Sequence, residues 1–161
     1  MSMQSKPVAP TNISSVMQRY AAIPLRAIVG GGFMQHGWAK IIKGPEAFAA
    51  ILASLHVPFA HLSAYLTIWV ELLGGGAFLF GAFVAWASVP AVVVLLTAMF
   101  TVHLPYGFSS IKIKAIVDGR AQFGPPGYEC DLLYIACILA LVLLNPSPWS
   151  VDDYRLRRRD A

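Results

Sequence analysis

Apolar positions along this chain gather into four long runs, at about 20–38, 60–84, 87–106 and 128–144. A helix needs about 20 mostly apolar residues to cross a hydrocarbon core, with a working range of about 17–25. Each run therefore predicts a membrane-spanning helix. Between Leu72 and Val102 there is no Asp, Glu, Lys or Arg. That stretch is too long for one span, and "VAWASVP" is the natural place to turn. Pro90 is then expected in the first turn of the third helix, where a missing N–H is tolerated.

The connections differ in character. In "KGPEAFAAILASLHVPF", Gly44 can cap, Pro45 suits the first helical position, and Glu46 favours a helix N-terminus. Phe48, Ile51, Leu52 and Leu55 then share one face, which predicts a short interfacial helix between spans one and two. Residues 107–127 form the most polar connection, and its "IKIKAIV" suits a strand-like or interfacial piece. Residues 1–19 read as a polar tail containing an Asn12-Ile13-Ser14 triplet, residues 20–149 as the helical domain, and residues 150–161 as a basic tail.

Composition agrees with a lipid solvent. Of the 161 residues, 57% are hydrophobic and 12% charged, against about 25% charged in soluble domains. Mean hydropathy is +0.63. Four of the twelve basic residues fall in "YRLRRRD". That density suits a cytoplasmic membrane face rather than nucleic acid, since no basic patch is interleaved with aromatics. Both termini are accordingly expected in the cytoplasm of a bacterial-type inner membrane. A signal peptide over the first run is disfavoured by Arg26, the glycine run and the lack of a cleavage pattern. Cys130 and Cys137, about 10 Å apart along a helix, are too far apart to bridge each other.

The candidate chemistry lies in the few polar residues inside the runs. Glu71 lies about 16 Å into the second run at 1.5 Å per residue. Arg26 falls near the same level, so an Arg26–Glu71 ion pair is expected. His36 and Lys40 sit four apart at one end of the first run, His103 near the same end of the third, and Glu129 with Asp131 opens the fourth. An intramembrane charge is a functional candidate by default. Arg26, His36, Lys40, Glu71, His103 and Glu129 are the candidate catalytic set. Glycines at 30 and 37, and at 74 and 81, are expected to let helices approach. "GGG" at 30–32 has no strand before it and is no dinucleotide fingerprint. Trp69 is expected in the core, and the other tryptophans at the interfaces.

In order, "RAIVGGGFMQHGWAKI", "ELLGGGAFLFG", "MFTVHLPYGF" and "GYECDLLY" resemble the DoxX family of small membrane proteins, as does the tail "PSPWSVDDYRL". The resemblance spans about residues 20–155. By position, the family's polar set falls on Arg26, His36, Gly37, Lys40, Glu71, Gly74, His103 and Glu129. The resemblance implies an all-α bundle of four transmembrane helices. It also implies a link to the membrane subunit of thiosulfate:quinone oxidoreductase and to redox homeostasis. Quinone is then the expected cofactor, with His36, His103 and Glu71 binding it. No metal, haem or nucleotide is expected: two histidines without a cysteine cluster are a weak metal signal, and no histidine pair faces another at mid-helix depth. With no C-x-x-C, a disulfide relay is not expected either. The bilayer, together with a homo-oligomer or a membrane complex, is the expected setting. A non-catalytic anchor or assembly subunit is the alternative, and small-molecule transport the second.

Overall fold

A computed structural model describes residue 17 and residues 20–159. The rest of the expected polar head, with Lys6, the Asn12-Ile13-Ser14 triplet and Arg19, lies outside the described residues. The fold is mostly helical. Helix α1 is Ala22–Lys43, α2 Pro45–Ser54, α3 Ala60–Phe80, and α4 Val84–Ala98. Helix α4 continues through a π turn, Met99–His103, and a 3-10 turn, Leu104–Tyr106. Strands β1 (Ile113–Val117) and β2 (Arg120–Phe123) follow, then α5 (Glu129–Leu144) and α6 (Val151–Arg159).

The four long helices pack in a ring: α1 on α3, α3 on α4, α4 on α5 and α5 back on α1. Their shared core holds Ala22, Val29, Phe33, Phe78, Val84, Ala91, Ile138 and Leu141. Phe33 packs edge-on against Phe78 at 5.9 Å and against Tyr134 at 5.7 Å. Two helical stretches, Ala60–Phe80 and Val84–Tyr106, are long and apolar enough to cross a membrane. Helix α1 carries Arg26, Lys40 and Lys43, and α5 has 16 residues.

The α1–α3 seam is the most extensive in the ring. A Cβ on Gly30 would meet the Gly75 carbonyl oxygen at 2.7 Å, and one on Gly75 would meet Met34 at 2.8 Å. Gly75 therefore does the work expected of Gly74, whose Cβ would meet nothing within 4 Å. Gly74 instead faces an apolar groove of about 320 Å³ between α3 and α4. Trp69 lines the same groove at 55% exposure, which corrects its expected place in the core.

Several boundaries also move. Helix α1 runs past residue 38 to Lys43, because Trp38 to Lys43 contains no breaker before Gly44. The turn between α3 and α4 comes early, at residues 81–83, where Gly81 adopts φ 61°. Pro90 consequently sits inside α4 rather than in its first turn. It removes one backbone donor there and crowds the carbonyl of Trp86. Thr97 and Thr101 donate back to the carbonyls of Val93 and Thr97, a bond that bends helices. The π turn follows directly.

Helix α2 forms with Pro45 at its start and Glu46 in its first turn. Its buried side is Ala49 and Leu52, packed on Ala64 of α3, while Ile51 of the expected apolar face is exposed. The 107–127 connection holds an antiparallel hairpin turning at Asp118-Gly119, both at positive φ. Asp-Gly is the residue pair that such a two-residue turn favours. The expected basic tail is a helix: α6 begins where Asp152 caps α4, accepting from the N–H of Phe83 (2.9 Å) and of Val84 (3.2 Å).

The α1–α3 seam yields a paired test. Gly30→Val is expected to destabilise the protein by about 1–3 kcal/mol through overpacking. Gly31→Val, whose Cβ meets nothing within 4 Å, is expected to leave stability nearly unchanged. Thermal unfolding of both variants in detergent reads the difference.

Candidate functional site

The buried polar groups divide between the two ends of the ring. One end carries the α3–α4 turn and α6. The other carries α2, the hairpin, the end of α1 and the start of α5.

At the α6 end, Arg26 projects from the first turns of α1 and is 7% exposed. A guanidinium has five N–H donors, and all five are used. Nε and Nη2 donate to the carbonyl of Leu79 at 3.2 and 2.9 Å. Nη1 donates to the Pro148 carbonyl at 3.2 Å and the Ser147 hydroxyl at 3.5 Å. Nη2 also donates to the Trp149 carbonyl at 3.1 Å. Leu79 lies in the last turn of α3, where carbonyls lack intrahelical partners. Arg26 thus ties α1, α3 and the α5–α6 connection together. The expected Arg26–Glu71 pair does not form: Arg26 stands level with Leu79, two turns of α3 beyond Glu71.

At the hairpin end, Glu71 is 6% exposed and is held by Lys40. The ammonium lies 2.7 Å from each carboxylate oxygen. Lys40 also stands 5.1 Å from the centre of the Phe48 ring of α2. Gly37, one turn before Lys40, leaves room for this: a Cβ there would meet Glu71 and Leu72 at about 3 Å. A second pair joins α4 to α5. Asp131, 5% exposed, accepts from His103 Nδ1 at 2.6 Å.

His36 lies on α1 one turn before Lys40. Its ring is 6.5 Å from that of Tyr134, edge to face. Tyr134 in turn lines an apolar groove of about 190 Å³ with Ile28, Val29, Cys130, Leu133 and Cys137. Both cysteines are free thiols.

The structure thus brings His36, Lys40, Glu71 and His103 to one end and leaves Arg26 at the other. Glu129 lies beside the cluster without joining it: its carboxylate accepts from the Ser110 N–H at 2.9 Å and holds the loop after α4. Asp131 and Tyr134 belong to the cluster and were absent from the candidate set. The signal was present for Asp131, which lies two residues into the same apolar run as Glu129. Position in the run could not say which acid faces His103. Among the described residues, no group of three or more His, Cys, Asp or Glu side chains could hold a metal ion.

The fold is thus a small helical bundle with two helices long and apolar enough to cross a membrane and with acid–base pairs on its inner surfaces. The DoxX family model matches residues 21–104, more than half of the chain. The chain belongs to the DoxX family. The match is shorter than the resemblance over 20–155, and leaves Glu129, Asp131, Tyr134 and α6 beyond it. No curated protein and no solved structure gives a significant match.

Two expectations follow from these contacts. Lys40→Met leaves a buried carboxylate without a partner and is expected to cost about 3–5 kcal/mol. Adding Glu71→Leu to it is expected to restore most of that loss, read as coupling in a double-mutant cycle of detergent unfolding. Arg26→Lys keeps the charge but not the planar fork that spans three carbonyls. It is expected to lower stability by about 1–3 kcal/mol and to expose the 147–150 segment to limited proteolysis.

Proposed function

We propose that this is a four-span inner-membrane protein, both termini cytoplasmic, whose hairpin-end cluster handles protons for redox chemistry of a membrane quinone. One observation carries the reading. Glu71 and Asp131 are nearly fully buried, each against its own base, at the end of the ring where His36 meets Tyr134.

The membrane setting is supported by the outer surface of the ring. Trp86 is 81% exposed and Leu143 85%, among many other large apolar side chains on α3, α4 and α5. Contiguous exposure of that kind suits lipid rather than water. A bilayer that takes α3 and α4 takes their ring neighbours too. Arg26 is internally satisfied, and Lys43 in the last turn of α1 can extend to headgroups. Helix α5, about 24 Å long at 1.5 Å per residue, spans with local thinning or flanking anchors. Positive charge on α6 supports a cytoplasmic side for that end, with the cluster then in the outer half.

A quinone would supply a couple that takes up two electrons and two protons. What supports a quinone is an apolar groove between α1 and α5, with Tyr134 in its wall and His36 edge-on to Tyr134; the expected ligands His36, His103 and Glu71 stand outside its lining. Electrons would come from a small reductant such as thiosulfate, or from a partner protein. In this reading His103, its Nδ1 held by Asp131, exchanges a proton at Nε2. His36 passes protons between that pair and the Lys40–Glu71 pair, and Lys40 keeps Glu71 in place.

A second reading has its own support. Arg26, Glu71 and Asp131, the buried charges among the described residues, all have partners within the chain. That favours a non-catalytic module that anchors or assembles a complex.

Mass spectrometry of the lipid extract from the protein purified in mild detergent, beside Glu71→Gln, separates the two. Stoichiometric quinone that is lost in the variant is expected from the redox reading. No quinone in either, with a partner protein released by the variant, would support the assembly module instead.

A further inference from the structure

Helix α6 carries a charge pattern that the bundle does not use. Its first turn is fixed to the α3–α4 turn: Asp152 caps α4, and the Asp152 N–H donates to the Gly81 carbonyl at 3.0 Å. Its position is therefore set by the point where the two helices long and apolar enough to cross a membrane meet. Beyond that turn the helix is exposed.

Four arginines follow. Arg157 pairs with Asp153 at 2.9 Å. Arg155, Arg158 and Arg159 have no ion pair among the described residues. At 3.6 residues per turn, these three fall within an arc of about 100°. Arg155 lies over the Phe83 ring at 4.3 Å and Arg158 over the Tyr154 ring at 4.7 Å. Stacking occupies the flat face of a guanidinium and leaves its N–H edges for other acceptors. Those edges match phosphate oxygens in a bidentate fashion.

A second observation lies at the same end. Trp149 is 80% exposed and meets Tyr20 edge-on at 5.8 Å, while Phe83 and Trp86 are also exposed. Exposed Trp and Tyr mark the headgroup level of a bilayer.

We propose that the Arg155–Arg158–Arg159 face of α6 is a binding surface for anionic phospholipid headgroups. The proposal rests on α3 and α4 spanning the membrane. A zwitterionic headgroup also offers a phosphate, but balances it with its own cation. The positive charge of α6 that no described acid pairs therefore selects lipids whose headgroup keeps its negative charge. Each basic residue near the surface contributes about a fivefold preference, and three aligned arginines act together.

The test uses the full chain in nanodiscs of phosphatidylcholine and phosphatidylglycerol in equal parts. Incorporation into the discs is read first, so that a failure to enter the membrane is distinguished from a failure to select lipid. Native mass spectrometry then counts the lipids retained on release. The wild-type chain is expected to retain phosphatidylglycerol over phosphatidylcholine by about tenfold or more. Arg155→Gln with Arg158→Gln and Arg159→Gln is expected to retain both alike. The matching triple change to Lys, which keeps the charge, is expected to keep most of the preference and guards against a misfolded α6. Equal retention by the wild-type chain, or undiminished preference in the glutamine variant, would overturn the proposal. So would displacement of the lipid by inorganic phosphate alone, which would mark a free-phosphate site. An acidic protein held through the same arginines in discs of either lipid would also overturn it.

Discussion

The close approach of α1 and α3 at Gly30 and Gly75 sets the register on which the other contacts depend. These helices run antiparallel, so a contact fixed at one point fixes the levels of every other pair. One turn before Gly30 is Arg26, and one turn beyond Gly75 is Leu79, and these meet. In the other direction, Gly37 faces Glu71 and Leu72, and Lys40 closes on Glu71. A shift of one turn, about 5.4 Å, would take Arg26 off the Leu79 carbonyl and Lys40 off Glu71 at once. Glycine is required at the crossing because any side chain would meet backbone atoms, which cannot rotate away.

The two ends of the ring are held by different chemistry. At the α6 end the acceptors of Arg26 are carbonyls and a hydroxyl, and Asp152 grips backbone N–H groups of α4. The carbonyls and backbone amides there do not titrate, so the Arg26 contacts do not depend on any acid, and the Asp152 carboxylate is the titratable acceptor in that closure. At the hairpin end the acceptors are carboxylates and the donors an ammonium and an imidazole. Those contacts exchange protons by their nature. The two ends therefore differ in the groups that hold them, although both look alike in sequence: isolated polar residues in apolar runs.

That likeness explains what the sequence could and could not show. Run lengths located the four long helices, because hydropathy over about 20 residues depends little on packing. The residues of the cluster stood out for the same reason: a charge in such a run is conspicuous. Their pairing was not legible. Counting depth from the ends of α1 and α3 put Arg26 level with Glu71, since it took residue 38 as the end of α1. Helix α1 runs to Lys43, and the true level comes from Gly30 on Gly75. Choosing Gly75 over Gly74 needs the crossing geometry, because the two are adjacent in "GGG". The Asp-Gly hairpin was legible in principle, as Asp118-Gly119 follows an alternating stretch. Helix α6 was not, because a run of arginines reads as a solvated tail until Asp152 is seen capping α4.

The irregular end of α4 connects this register to the second acid–base pair. Pro90, Thr97 and Thr101 bend or loosen the ladder, and the π turn at Met99–His103 inserts one extra residue per turn locally. In an unbroken helix, one residue turns a side chain by about 100°. The widened turn therefore decides the face on which His103 emerges, and that face is toward Asp131 of α5. The cluster thus needs two devices that are far apart in the chain. The glycine crossing aligns Lys40 with Glu71, and the π turn aims His103 at Asp131. The family match ends at residue 104, just after His103. The matched segment therefore holds the whole of the first pair but only the imidazole of the second. The aspartate and Tyr134 come from α5, which reaches α1 and α4 only because the four helices close into a ring. The cluster is a property of that closure and not of any one segment.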